Sequence, residues 1–304
     1  MKCEWRFSRG QSYLTNGDAV IFRPFAIRHG YRPPEHHPPN QKWVFQEHES
    51  PIRTWNKQRN GMGMWKSFNI SISFVPEADI VHSSNAFQCS IDPDFKPSLP
   101  PDFDYIKNKT GTVLWIVSNC HSRSGREGYV KEMKKHIAVD VYGKCGKGII
   151  CRGYSAYRGH NCTGAFIGRY KFYLAFENSL CNHYYTEKLT KTIGVDTIPV
   201  VMGLVNYSSI LTPGTFIDVR DFSSVKALTD HLNYLDQNDT AFNEIIKRKR
   251  SVNCVKSYTR PYFCMLCHYL HVNKNRTQIT ADPRVWWSTG RQCQNKNAFF
   301  KGIR

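Results

Sequence analysis

The residues best suited to chemistry lie in one stretch. The block Tyr170-Lys-Phe-Tyr-Leu-Ala-Phe-Glu-Asn-Ser179 is followed by Thr186-Glu187-Lys188 and then by Thr197-Ile-Pro-Val-Val-Met-Gly203. An apolar run ends directly in Glu177 and Asn178, which puts a carboxylate and an amide where a strand stops, within reach of ribose or sugar hydroxyls. Thr186 has the side chain of a helix N-cap, and the unpaired amides of the turn after it can face an anion. Lys188 brings a positive charge to the same end, suited to a diphosphate. Taken alone, the Thr-Glu-Lys triplet is explained as well by a capped helix carrying a solvated charge pair. The strand that runs into Glu177 is what gives it weight.

Other groupings carry less. Asp92-Pro-Asp94 and Asp102-Phe-Asp104 match the D-x-D pattern that can hold a metal–diphosphate, but a working pair needs an apolar strand leading into it. These sit among Pro93, Pro97, Pro100 and Pro101, and no metal site is expected. Cys264-Met-Leu-Cys267-His268 has the spacing of haem attachment, and His271 adds a zinc-type ligand. The favoured reading there is a disulfide clip. Gly143-Lys-Cys-Gly-Lys-Gly148 lacks the Lys-Ser/Thr ending of a phosphate-binding loop, and Gly61-Met-Gly63 lacks a third glycine and a preceding strand. Both are read as turns.

The elements that must position the Glu177 block follow from the hydropathy pattern. Thr112-Val-Leu-Trp-Ile-Val-Ser118, 137–142, 171–176, 197–202 and 216–219 read as strands, and 126–136, 186–193 and 225–235 as helices. Strands alternating with helices give a doubly wound α/β domain over 111–262, and such domains bind ligands at the carboxyl ends of their strands. Upstream, Asp18–Phe22, Lys42–Phe45 and Asn69–Phe74 are strand candidates in a looser region, 1–92. The proline-crowded segment 93–110 reads as a linker, and 263–304 as a tail.

The chain has 304 residues, enough for two domains, and an apolar fraction of 40% that excludes disorder. No apolar run approaches the roughly 20 residues of a membrane span, and MKCEWRFSRG has no signal-type apolar core. Those absences alone would indicate cytosol. Against them stand 11 cysteines and six N-x-[S/T] sequons, at Asn69, Asn108, Asn161, Asn206, Asn238 and Asn275. Together these favour an oxidising, glycosylating compartment, and with it a targeting piece upstream of this chain. The odd cysteine count leaves a free thiol or an intermolecular bond. The net charge of +18 raises nucleic-acid binding, but the basic residues are scattered. Their one cluster, Lys247-Arg-Lys-Arg250, ends a helix-like stretch, where cations suit the helix dipole. No nucleic-acid partner is expected.

The run F-E-N-S with Y-x-T-E-K and I-P-V-V-x-G resembles the signature of the α1,3/4-fucosyltransferases, glycosyltransferase family 10. Val117-Ser-Asn119 with Arg126 and Tyr129, the segment 216–222, and Lys42-Trp-Val-Phe with Glu49-Ser-Pro51 match in the same order, so the similarity covers roughly residues 18–293. Cys120, Tyr142-Gly-Lys-Cys-Gly146, Cys181 and Trp286-Trp287 with Cys293 resemble invertebrate and plant members, which act on the core GlcNAc of N-glycans. The resemblance implies an α/β fold of GT-B type, two Rossmann-like domains facing a central cleft. The N-terminal one would be truncated, because Met1 falls after the family's anchor, stem and first acceptor-domain strand.

It further implies inverting transfer of L-fucose from GDP-β-L-fucose to an N-glycan acceptor on glycoproteins, in the Golgi lumen. The membrane would be met only through an N-terminal anchor absent from this chain. Glu49 matches the general base. Arg126 and Lys188 match the cations that stabilise the leaving diphosphate, and Tyr184 and Glu187 match donor contacts. Glu177 and Asn178 either touch the donor or shape its floor, and Ser118 and Asn119 end the first donor-domain strand. No cofactor is required for the chemistry, with room for stimulation by Mn2+. The alternatives are an antennal, Lewis- or LacdiNAc-type enzyme and a truncated non-catalytic homologue. The segment 189–195 departs from the small-residue pattern usual after T-E-K. The acceptor itself has no readable code in the loops 28–40 and 52–65.

Overall fold

Continuous apolar runs need cover on both faces, and the chain meets this need with parallel strands held between helices. In a computed structural model, all residues are described except 1, 7–16, 28, 29, 32, 33, 35, 36, 152–159, 259, 276–278, 302 and 304. The strands in chain order are β1 (Ala19–Phe22), β2 (Lys42–Gln46), β3 (Ile70–Ser73), β4 (Ile80–Val81), β5 (Phe87–Ile91), β6 (Gly111–Ile116), β7 (Val139–Tyr142), β8 (Tyr170–Phe176), β9 (Ile198–Met202), β10 (Ile217–Asp218) and β11 (Val252–Lys256). They fall into two compact units. One comprises Met1–Ala86, Cys181–His183 and Tyr258–Cys293; the other comprises Phe87–Leu180, Tyr184–Ser257 and Gln294–Arg304.

The first unit carries a parallel sheet in the order β1-β2-β3-β4. One side of it packs Val44, Ile70, Ile72 and Ile80 against Leu266, which the helix Tyr262–Val272 supplies. Elsewhere in the unit Phe45 meets Trp65, Phe68, Trp286 and Trp287 in edge-on contacts. The segment expected to form a tail, 263–304, is therefore divided: the part up to Cys293 belongs to this unit and supplies Leu266, Trp286 and Trp287, whereas Gln294–Arg304 belongs to the other. The disulfide reading of the Cys264–Cys267 segment holds for one of its two cysteines. Cys267 pairs with Cys3, and Cys264 is an exposed free thiol. With both sulfurs of the Cys3–Cys267 bridge consumed, the zinc reading with His271 loses its thiolates.

The second unit holds five parallel strands in the order β10-β9-β8-β6-β7. β8 is buried at every position and lies at the centre. The helix Arg126–Met133 lays Tyr129, Val130 and Met133 on the sheet, and Val225–Gln237, capped by the Ser224 hydroxyl, adds Leu228, Leu232 and Leu235. β5 and β11 form an antiparallel ribbon crossed by the Cys89–Cys254 disulfide. That ribbon moves the boundary from residue 92 to Ala86, since β5 belongs with the strand that follows the helix Asp239–Arg250. The expected linker 93–110 is packed too: Tyr105 is buried in the core, and its amide donates to Asn243 Oδ1 at 3.1 Å. Asp92 and Asp104 cap turns through the amides of Asp94 and Ile106.

Five disulfides link ten of the cysteines. No helix among the described residues is long and apolar enough to cross a membrane. The Asn161 side chain and residues 276 and 277 of the Asn275 sequon lie outside the described residues, as does part of the loop 28–40. One sequon is excluded by burial. Asn69 is 7% exposed, and its Oδ1 accepts the Trp43 amide at 2.9 Å while its own amide donates to the Trp43 carbonyl. Its side chain thus extends the β2–β3 ladder by one bond. Asn69→Ala leaves the buried Trp43 N–H unsatisfied and is expected to cost about 1–3 kcal/mol, measured as a lower urea midpoint at unchanged m-value.

Candidate functional site in the second unit

The strand order places a topological switch between β6 and β8, where the chain leaves for opposite sides of the sheet. In open parallel sheets the crevice outside the carboxyl ends at such a point binds ligands. Ser118 and Asn119 follow β6 there, and Glu177 and Asn178 follow β8.

Glu177 is 1% exposed. Its Oε1 accepts the Thr186 amide at 2.8 Å and the Thr186 hydroxyl at 2.9 Å, and its Oε2 lies 3.1 Å from Lys188 Nζ. The expected helix 186–193 is only Glu187–Thr190, and the Thr186 hydroxyl caps nothing. The carboxylate of Glu177 takes the Thr186 hydroxyl that was to cap that helix, together with the amide of Thr186 itself. Gly203 follows from the same crowding: a Cβ there would stand 2.5 Å from Tyr207 Oη and 3.8 Å from Glu177 Cγ.

Asn178 Oδ1 accepts from Tyr184 Oη at 3.2 Å and from Ser179 Oγ at 3.0 Å, and the Tyr184 ring is buried. Arg126 is 2% exposed. Its Nη1 donates to the Phe176 carbonyl at 2.7 Å and its Nη2 to the Asn119 carbonyl at 3.1 Å, while Glu127 lies 3.3 Å from its Nε. It therefore ties together the ends of β6 and β8. Glu187 is 55% exposed and Lys188 15%. Burial would raise the Glu187 carboxyl, but Lys188 and Lys191 outweigh it and hold it below its ordinary value. Burial pushes the Lys191 ammonium down. Lys191 was missed in the sequence, although a helical reading of 186–193 puts it three residues from Lys188 on one face.

Glu49 stands in the first unit, in the loop after β2. Beside it Glu47 is fully buried, and its carboxylate accepts the amides of Phe25, His48 and Glu49 at 2.8, 2.9 and 3.0 Å. Glu47 thus holds the loop, whereas the Glu49 side chain is 23% exposed, with Oε2 2.8 Å from Arg53 Nε. His48 packs 5.5 Å from His82, ring to ring, and burial, helped by His82 and Arg23, pushes its imidazole down to about 4.

Comparison with known proteins bears on this arrangement directly. Residues 106–286 match glycosyltransferase family 10 (fucosyltransferase), C-terminal part. That is more than half of the chain. It belongs to glycosyltransferase family 10. The chain is 35% identical over 201 residues to glycoprotein 3-alpha-L-fucosyltransferase A of Drosophila melanogaster, covering 64% of this chain and 39% of that protein. It is 32% identical over 285 residues to the 3-galactosyl-N-acetylglucosaminide 4-alpha-L-fucosyltransferase of Bos taurus, covering 91% of this chain and 72% of that one. A crystal structure of alpha1,3-fucosyltransferase with GDP-fucose superposes with a TM-score of 0.52 at 17% identity, over 87% of this chain and 80% of that one. The shared fold is the GT-B type of α/β fold.

Two of these buried groups give measurable consequences. Glu177→Gln leaves Lys188 beside a neutral amide. We expect a loss of about 2–3 kcal/mol, below the range for fully buried pairs because Lys188 keeps some water, with partial recovery in the Lys188→Met background. His48 is the second. Its folded value lies below the unfolded 6.5, so the unfolded chain binds more protons between the two. The stability it contributes is complete above pH 6.5 and is lost as pH falls toward 4, with a slope of at most about 1.4 kcal/mol per pH unit. Urea midpoints across this window should fall with acid in the native sequence and fall less in His48→Phe.

Proposed function

We propose that this chain transfers L-fucose with inversion from GDP-β-L-fucose to O3 of a GlcNAc in glycoprotein N-glycans, the core GlcNAc being favoured. The observation that carries the reading is the Glu177–Thr186–Lys188 cluster at the switch point of a family-10 fold. Similarity to a Drosophila protein named a glycoprotein 3-alpha-L-fucosyltransferase supports the acceptor class.

In the reaction the acceptor O3–C1 bond forms while the C1–O bond to the diphosphate breaks, and GDP leaves with the electron pair. Glu49 takes the acceptor proton, its loop held by Glu47 and its carboxylate oriented by Arg53. Charge grows on the leaving diphosphate, and Lys188 and Lys191 are the partly buried ammonium groups placed to meet it. Arg126, Glu177 and Tyr184 have their polar atoms spent within the protein, so they serve as positioning residues for the exposed Ser118 and Glu187 and the partly buried Asn119, Asn178 and Lys188. The chemistry needs no cofactor.

A second reading, antennal fucosylation, is favoured by the similarity to the Bos taurus enzyme, which is named for galactosyl-GlcNAc acceptors. Incubating the protein with GDP-fucose and a panel of core-type N-glycans and lactosamines separates the two, and fucose found only on antennae overturns the core assignment. Glu49→Gln should lower kcat by roughly 10²–10⁴-fold with GDP affinity retained. Native-like turnover in that variant removes Glu49 as the base. GDP binding with no turnover on any acceptor would make the chain a non-catalytic homologue.

A further inference from the structure

At the amino ends of the second unit's strands lies an open cavity of about 720 Å³. The segment leading into β6, the end of the helix His160–Ile167 and the turn before β9 form its walls. The strands are parallel, so this edge is separated from Glu177 by the length of β8, seven residues or about 23 Å. The donor chemistry does not use it.

Its walls combine aromatic and bare surface. Phe103 and Tyr105 contribute rings, and Gly164, Gly168 and Gly194 expose backbone. Two of the three charged groups in it, Lys109 and Asp196, are already matched, and the third, Arg169, lies with its guanidinium carbon 5.9 Å from the centre of the Phe166 ring. Lys109 Nζ donates to the carbonyls of Gly168 and Asp196, and the Asp196 carboxylate pairs with Arg250 at 2.9 Å. A lining with ring faces, backbone polar groups and a guanidinium that can donate to hydroxyls suits a hydroxyl-rich ligand with an apolar face. Such a ligand can be supplied by the chain itself. Asn108 of the Asn108-Lys-Thr110 sequon is exposed and lies in the cavity lining. The five disulfides place the chain in the kind of compartment where sequons are used.

We propose that Asn108 carries an N-linked glycan whose first GlcNAc residues seat in this cavity against Phe103 and Tyr105. Attachment forms a bond from Asn108 Nδ2 to C1 of the sugar and breaks C1–O of a lipid-linked diphosphate oligosaccharide. The amide loses a proton, and the lipid diphosphate leaves. Asn69, whose side chain is spent inside the β2–β3 ladder, stays unmodified, and exposed Asn206 lies outside this lining.

The test uses the chain secreted from animal cells, with occupancy read by peptide mass spectrometry. The Asn108 peptide should be glycosylated and the Asn69 peptide not. An amidase that removes whole N-glycans should release the Asn108 glycan at least roughly tenfold more slowly from native than from denatured protein, because the linkage is reached only after local opening. Thr110→Ala, an exposed change that abolishes the sequon without touching the lining, should lower Tm. In Phe103→Ala, release from native protein should speed up while occupancy is kept. An unmodified Asn108 overturns the proposal, as does native release as fast as denatured release with no change in Tm on losing the sequon.

Discussion

A carboxylate with almost no access to water sits at the end of the central strand of the second unit. Its oxygens need partners there, and the three groups that supply them come from one segment, Thr186–Lys188. A charge in such a place is costly unless hydrogen bonds satisfy it. The chain after β8 is thereby fixed: it must return so that Thr186 presents both its amide and its hydroxyl. Lys188 then arrives at the carboxyl edge of the sheet as a consequence. Gly203, just after β9, is small because the Tyr207 hydroxyl occupies the space a side chain would need.

The same constraint separates residues that hold the site from residues that can meet a ligand. Arg126 spends its guanidinium on two carbonyls that end neighbouring strands, and Tyr184 spends its hydroxyl on Asn178. Removing any of these would disturb strand ends before it disturbed a ligand contact. Lys188, Glu187 and Ser118 are the groups that retain exposure. Asn119 keeps a buried amide nitrogen with no hydrogen-bond partner. A motif that looks like a list of ligand contacts is thus mostly the frame that aims a few of them.

Much of this was legible in the sequence for a physical reason. Strands buried on both faces must be apolar throughout, so β6, β8 and β9 announced themselves as uninterrupted runs, and the polar residues that end them marked the carboxyl edge. What failed depended on partners distant in sequence. β5 pairs with β11 across a separation of 165 residues between Cys89 and Cys254, and neither strand is more than half buried enough to show a pattern. The helix Tyr262–Val272 buries little beyond Leu266, so its stripe is faint. Local propensity favoured a helix from Thr186, and the tertiary pull of Glu177 shortened it. The choice of Cys3 over Cys264 as the partner of Cys267 could not be read from spacing, because sequence does not report which sulfur faces which.

The first unit shows the same rule from the other side. Glu47 and Glu49 are equivalent as letters, two carboxylates after one strand. Three backbone amides claim Glu47, and their hydrogen bonds compensate its burial while denying it to any substrate. Glu49 instead pairs with the Arg53 guanidinium at 2.8 Å and keeps part of its side chain exposed. The two carboxylates are therefore set apart by what each has already bonded. Glu47 supports the proposed base by fixing the amides of His48 and Glu49, so a change at Glu47 would act on proton transfer through loop geometry rather than through loss of a charge.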